Sequence, residues 1–203
     1  MKQQLITIGG GDTFRNYREY ISYLKNIKFD FNRLGKKRWK ETLPKLLGPQ
    51  FNVLPMRMPN SANAKYKEWK IMFDKLLPFL KDNVVLLGHS LGGIFLAKYL
   101  AENNFPRKIK ATFLISAPFD EKKADYTLGD FKLPKSLAKL QSQAGQIFLY
   151  HSLDDKVVPF TDLQKYKRAL PKAKTSIFKN GGHFDQANFP ELIKDIKSLN
   201  LKK

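Results

Sequence analysis

There is no cysteine among the 203 residues, which excludes a disulfide framework, a thiolate metal site and a cysteine nucleophile together. Histidine is nearly as scarce: with three in the chain, chemistry that needs an imidazole has few candidates. No stretch approaches the roughly 20 apolar residues of a membrane-spanning helix. The apolar run at 5–8, ahead of three glycines, is too short for the core of a secretory signal. The expectation is a cytoplasmic protein with no membrane span. Repeats, low-complexity tracts and Ser/Gly-rich linkers are also missing, so a single domain over residues 1–203 is expected.

Acidic residues are few, 18 against 37 basic ones, for a formal charge of +19. Such a balance raises the possibility of nucleic acid or an anionic membrane surface as partner. The kind of basic residue argues against it: 30 are Lys and 7 are Arg, scattered along every segment, whereas phosphate and base recognition relies on clustered Arg. The densest group, Lys36-Lys37-Arg38 with Lys40, reads as a solvated helix face. No specific nucleic-acid partner is expected.

What the chain has is a core. Hydrophobic residues make up 42%, with 16 Phe and 8 Tyr, and they fall into short runs at 5–8, 51–54, 83–87, 110–115, 146–150 and 175–178 that read as buried strands. Helical spacing lies between them: Tyr66, Trp69, Phe73, Leu76 and Leu80 recur at steps of three and four, as do Leu163, Tyr166 and Leu170, and Leu192, Ile193 and Ile196. Thr161 with Gln164 has the form of a capping box, Pro171 stops that segment, and Pro190 suits a first helical turn. Alternating strands and helices predict an α/β fold, with a parallel sheet covered on both faces and chemistry at the carboxyl ends of the strands.

At one such end lies Gly88-His89-Ser90-Leu91-Gly92. The pentapeptide alone is weak, but the run at 83–87 before it and the Ala-containing apolar helix at 91–100 after it supply the strand, sharp turn and helix of a nucleophile elbow. Gly88 and Gly92 remove side chains that would collide as strand and helix close, and Ser90 at the tip takes a strained backbone. A Gly-rich turn with an incidental Ser is the alternative. Ser90 needs a base. His89 is inside the elbow with its side chain directed away from that of Ser90, and His151 lies upstream of any acid. His183, in Asn180-Gly181-Gly182-His183-Phe184 after the sixth strand, remains, and its position fits the order nucleophile, acid, histidine. The acid should follow the fifth strand, where Asp154 and Asp155 stand side by side; only one of two adjacent residues can orient the imidazole. For the oxyanion, the backbone N–H of Leu91 is one expected donor. The loop Gly9-Gly10-Gly11-Asp12-Thr13 offers the other, Gly11 first and Gly10 next. A phosphate cradle is the rival reading of those glycines, but neither Gly-Lys-Ser/Thr nor GxGxxG spacing follows.

Taken together, these residues resemble the small α/β-hydrolases of the YdeN type, which include the retinoblastoma-binding-protein serine hydrolases. Met58-Pro59-Asn60, Glu68-Trp69, Asp154-Asp155 with Pro159, and Gly182-His183-Phe184 carry the resemblance beyond the elbow. It implies an α/β-hydrolase fold, a three-layer αβα sandwich around a mainly parallel six-stranded sheet without a large lid domain. It also implies that the second Asp of the acid loop, four residues before the Pro, is the triad acid; that residue is Asp155, which leaves Asp154 to form the turn. The His-Gly common after the first strand of α/β-hydrolases is Gly9-Gly10 here, and residues 16–34 look like an added segment with no assigned role. Residues 117–145, where larger relatives insert a lid, hold Pro118, Phe119, Tyr126, Phe131 and Leu133, which either wall a pocket or cover the sheet edge. The expected activity is that of a serine hydrolase on small or short-acyl esters, thioesters or amides, with no cofactor and no metal, as a monomer or small homo-oligomer. The competing readings are a catalytically silent hydrolase-fold protein used for partner binding and a basic polyanion-binding protein.

Overall fold

The computed structural model describes residues 2–28, 30–31, 35, 38–122 and 124–199. Among them, six strands form one sheet: β1 (Gln3–Ile8), β2 (Phe51–Met56), β3 (Val84–His89), β4 (Ile109–Ile115), β5 (Gln146–Ser152) and β6 (Lys174–Phe178). Their spatial order is β2-β1-β3-β4-β5-β6, and every neighbouring pair is parallel. Sheet order reverses direction between β1 and β3, the kind of switch point outside which a crevice opens. All strands therefore deliver their carboxyl ends to one edge.

Alternation along the strands sets the two faces. Ile6, Ile8, Leu86, Leu114 and Leu149 point to one side, where they pack with α3 (Tyr66–Leu76), α4 (Leu91–Glu102), α5 (Ala138–Gln143) and α6 (Phe160–Ala169). Leu5, Val85, Leu87, Phe113, Phe148 and Tyr150 point to the other, under α2 (Trp39–Leu47) and α7 (Pro190–Ser198). The strands at the centre of the sheet are covered on both faces, which explains why they read as continuous apolar runs rather than alternating ones.

Several helix boundaries differ from those the sequence suggests. Phe160 opens α6 directly after Pro159, so Thr161 lies inside the first turn and not at its cap, with its hydroxyl buried and unpartnered. The expected capping box is absent because the cap position is taken by Pro159, two residues before Thr161. Leu80 falls outside α3, whose last turn tightens into a 3₁₀ turn at Leu77–Phe79 around Pro78. Pro190 does occupy the first turn of α7. The added segment contains α1 (Tyr17–Asn26), none of whose residues is buried; Asn16 accepts from the Glu19 amide at 2.9 Å to cap it. The remainder up to Leu34 lies partly outside the described residues, as do Lys36 and Lys37. No large lid interrupts 117–145, which has a short turn at Gly129–Phe131 and α5.

Candidate active site

Ser90 stands between β3, all six of whose residues are buried, and α4. Its φ of 56° and ψ of −124° put it in a backbone region costly for a side-chain-bearing residue. The cost is imposed by packing: its amide donates to the Ile115 carbonyl at 2.8 Å, and its own carbonyl accepts from Gly93 at 2.8 Å. A Cβ on Gly88 would lie 2.3 Å from the Gly92 carbonyl oxygen, and one on Gly92 would lie 2.4 Å from that of Ile8. The two glycines are what allow strand, turn and helix to close so tightly. Leu91 opens α4, and at that first position a backbone amide has no carbonyl one turn earlier in the helix to accept it.

The loop after β1 faces this turn. A Cβ on Gly10 would meet the Ser90 Cβ at 3.1 Å, so backbone approaches the serine directly, while one on Gly11 would strike the Ser61 carbonyl at 2.5 Å. Asp12 pairs its backbone with that same stretch, donating to Ser61 O at 2.8 Å and accepting from Ala64 at 2.8 Å. The motif pieces around it hold one another: the Trp69 indole donates to the Pro59 carbonyl at 2.8 Å, and the Asn60 amide to Glu68 at 2.9 Å.

On the other flank the acid and histidine loops meet. His183 Nδ1 lies 3.1 and 3.0 Å from the two Asp155 carboxylate oxygens. Burial alone would raise that carboxyl, but hydrogen bonding and charge from His183, with the Val158 amide, hold it below its ordinary value. Asp155 also accepts from the Val157 amide at 2.8 Å and the Val158 amide at 3.0 Å. Its neighbour does different work. Asp154 is exposed, accepts from Ser152 Oγ at 2.5 Å and from the Gly182 amide at 2.9 Å, and these bonds keep its carboxyl low. Asp155 thus faces the imidazole, and Asp154 ties the main chain of the histidine loop to β5. The positive φ of Phe184, 55°, marks the sharp turn that follows His183.

The other two histidines turn out to be structural partners of the same edge. His151 is buried and bonds the Val158 carbonyl at 2.9 Å, and burial lowers its pKa. His89 is buried, with Nε2 2.8 Å from the His183 carbonyl oxygen and Nδ1 2.7 Å from Lys40 Nζ. Lys40 is therefore not part of a solvated face. The sequence hides this because a lysine stem can cross buried surface before its ammonium finds a partner, which a charge run does not reveal.

Ser90, His183, Leu91, Gly10 and Gly11 all line one cavity of about 650 Å³, whereas Asp155 lies behind His183 with its side chain fully buried. Tyr23 of α1, with the Phe14 ring tilted against it at 5.1 Å between centres, forms part of the wall. Of the two roles the sequence left open for the stretch between β4 and α5, the pocket wall is the one seen. Pro118, Tyr126 and Leu128 line the cavity, while Phe131 is buried against Trp69, ring centres 5.1 Å apart. Thr13 Oγ1 bonds the Thr127 carbonyl and joins the two walls. Among the described residues no group of His, Asp and Glu has the arrangement to hold a metal ion, and no helix is long and apolar enough to cross a membrane.

Sheet, elbow and helical layers define an α/β-hydrolase fold. The chain belongs to the serine hydrolase family, whose model, described as "Serine hydrolase", matches residues 31–194. It is 28% identical to serine hydrolase RBBP9 of Rattus norvegicus over 159 residues, 74% of this chain and 79% of that protein. It is 25% identical to YdeN of Bacillus subtilis (strain 168) over 142 residues, 68% of this chain and 71% of that one. The crystal structure of the B. subtilis ydeN gene product superposes with a TM-score of 0.78 and 21% identity, covering 99% of this chain and all of the other.

Proposed function

We propose that this serine hydrolase acts on small or short-acyl carboxylic esters, with thioesters and amides open to the same machinery, through Ser90, His183 and Asp155. The observation that carries the reading is the His183–Asp155 bond at 3.0 Å on the wall of the cavity into which Ser90 opens. His183 takes the Ser90 proton as the hydroxyl attacks the acyl carbonyl. Asp155, an acceptor at Nδ1, fixes the tautomer that leaves Nε2 free for that proton and stabilises the imidazolium that forms. The backbone amides of Leu91 and Gly11, with Gly10 adjacent, receive the oxyanion. His183 then protonates the leaving group, and water activated by the same imidazole releases the acid from Ser90.

The size of the substrate follows from the walls. A cavity of about 650 Å³ lies within the roughly 300–1,000 Å³ of small-molecule sites, and the described residues form no large apolar lid that would shelter a long acyl chain. The test is turnover of p-nitrophenyl esters graded from acetate upward, by the wild type and by Ser90→Ala and Asp155→Asn. The expected result is hydrolysis that falls with acyl length, is abolished in Ser90→Ala, and drops roughly 10⁴-fold in Asp155→Asn. Equal turnover by all three proteins would sink the assignment.

A further inference from the structure

The catalytic reading accounts for the ring of His183 but not for what holds its main chain. The first turn of α2 meets the 183–187 loop at almost every residue. Trp39 donates its indole N–H to the Phe184 carbonyl at 2.8 Å and its backbone N–H to that of Gln186 at 3.0 Å. Arg38 and Asp185 approach within 3.4 Å, and the Thr42 hydroxyl lies 3.3 Å from the Ala187 carbonyl. His183 itself is reached through a relay. Its carbonyl can only accept, so His89 Nε2 carries the proton; His89 Nδ1 is then a bare acceptor, which Lys40 Nζ fills at 2.7 Å. Each end of the buried His89 ring has a partner, and removing either leaves a buried polar atom unsatisfied.

We infer that Lys40 is a positioning residue for His183, acting through His89: it fixes the tautomer of His89 whose Nε2–H holds the His183 carbonyl, and so the imidazole of His183, in place for Ser90. The sequence puts Lys40 about 50 residues before the elbow and 143 before the histidine loop, yet the fold stacks the three side chains at one sheet edge, with the His89 and His183 ring centres 4.8 Å apart. Burial favours a neutral His89, and the neighbouring Lys40 charge works in the same direction. A neutral ring with one proton is what the relay requires. Lys40 also lines the cavity, but its ammonium is directed to His89, and its task here is orientation of the base rather than contact with the reacting atoms.

This inference rests on the proposed catalytic role of His183, and its test separates the two. The kinetic arm compares wild type, Lys40→Met, Lys40→Arg, His89→Gln and the Lys40→Met/His89→Gln double variant on a short-acyl ester. Lys40→Met should lower kcat roughly 10- to 100-fold with KM within about twofold, since displaced positioning costs the transition state and not ground-state binding. Lys40→Arg, which can still donate to Nδ1, should recover part of it. The double variant should be no slower than the slower of the two single variants, because both act through one relay. The second arm reads the imidazole nitrogens by ¹⁵N NMR, practicable because the chain has three histidines. His89 should be the Nε2–H tautomer, and Lys40→Met should shift its Nδ1 resonance and that of the His183 ring. Unchanged kcat in folded Lys40→Met, multiplicative losses in the double variant, or an Nδ1–H tautomer at His89 would each overturn the inference. If no ester is turned over by the wild type, the hydrolase reading fails while the NMR arm still decides whether the relay exists.

Discussion

The two sides of the cavity are built in opposite ways. On one side are β3 and α4, where every strand residue from Val84 to His89 is buried and Gly88 touches the backbone of the next helix. On the other is α1, a helix with no buried residue, in contact with the site through Tyr23 and the aromatic ring of Phe14. The group proposed to do the chemistry stands on the element that cannot move without unpacking the core. The wall formed by Tyr23 stands on one that can be changed cheaply. Between them α2 is a joint: Trp39, Leu43 and Leu47 are in the core, while Arg38 and Lys40 reach the cavity.

That contrast can be broken or sharpened by substitutions at each place. The largest effect on stability is expected in the elbow. Gly88→Ala puts a methyl 2.3 Å from the Gly92 carbonyl, in a place where backbone must give way, and should cost about 3 kcal/mol or more in a denaturant titration. A loss under about 1 kcal/mol would mean that the elbow is softer than its geometry implies.

The joint should give an intermediate effect with a definite pH dependence. Burial, with a smaller push from Arg38 and an opposing one from Asp185, brings the Lys40 ammonium down to about 8 from an ordinary 10.5. His89 and His183 are the other titratable groups beside it. Between those two values the unfolded chain holds a proton that the folded protein has released, so stability from this group rises with pH across that window and is at its lowest below it. Wild type should therefore gain on Lys40→Gln by roughly 1–3 kcal/mol between pH 8 and 10. A difference that stays flat or shrinks would show an ammonium as well solvated as any surface lysine.

The smallest effect on stability belongs to the outer wall. Tyr23 is 38% exposed, so Tyr23→Ala should change stability by less than about 1 kcal/mol. It should nevertheless shift preference among acyl lengths by up to about tenfold, visible as KM against chain length, since a wall residue discriminates by contact alone. A larger loss of stability than of selectivity would reverse the comparison.

The same division decided what could be read from the residues. β3 and α4 were legible because their constraints are local: an apolar run, two glycines at fixed spacing and an apolar helix must be adjacent in sequence. The six strands came out within a few residues of their ends for a related reason, since burial on both faces leaves a continuous apolar signature. Asp155 was legible only through family resemblance, because nothing local distinguishes it from Asp154; the difference lies in their partners, the Gly182 amide for Asp154 and the His183 ring for Asp155, each 28 residues on. α2 did carry a signal, Trp39, Leu43 and Leu47 at steps of four, but the surrounding lysines masked it. The bond from Lys40 to His89 left no trace, for a contact between residues 49 apart has no periodicity to show. α1 packs on nothing that a hydrophobic pattern could announce.

The most direct test of the central claim is to treat the folded protein with a fluorophosphonate, digest it and map the adduct by mass spectrometry. The account predicts one stoichiometric adduct on the peptide containing Ser90, absent in Ser90→Ala. An adduct on another serine, or none on a protein whose fold is intact, would contradict it.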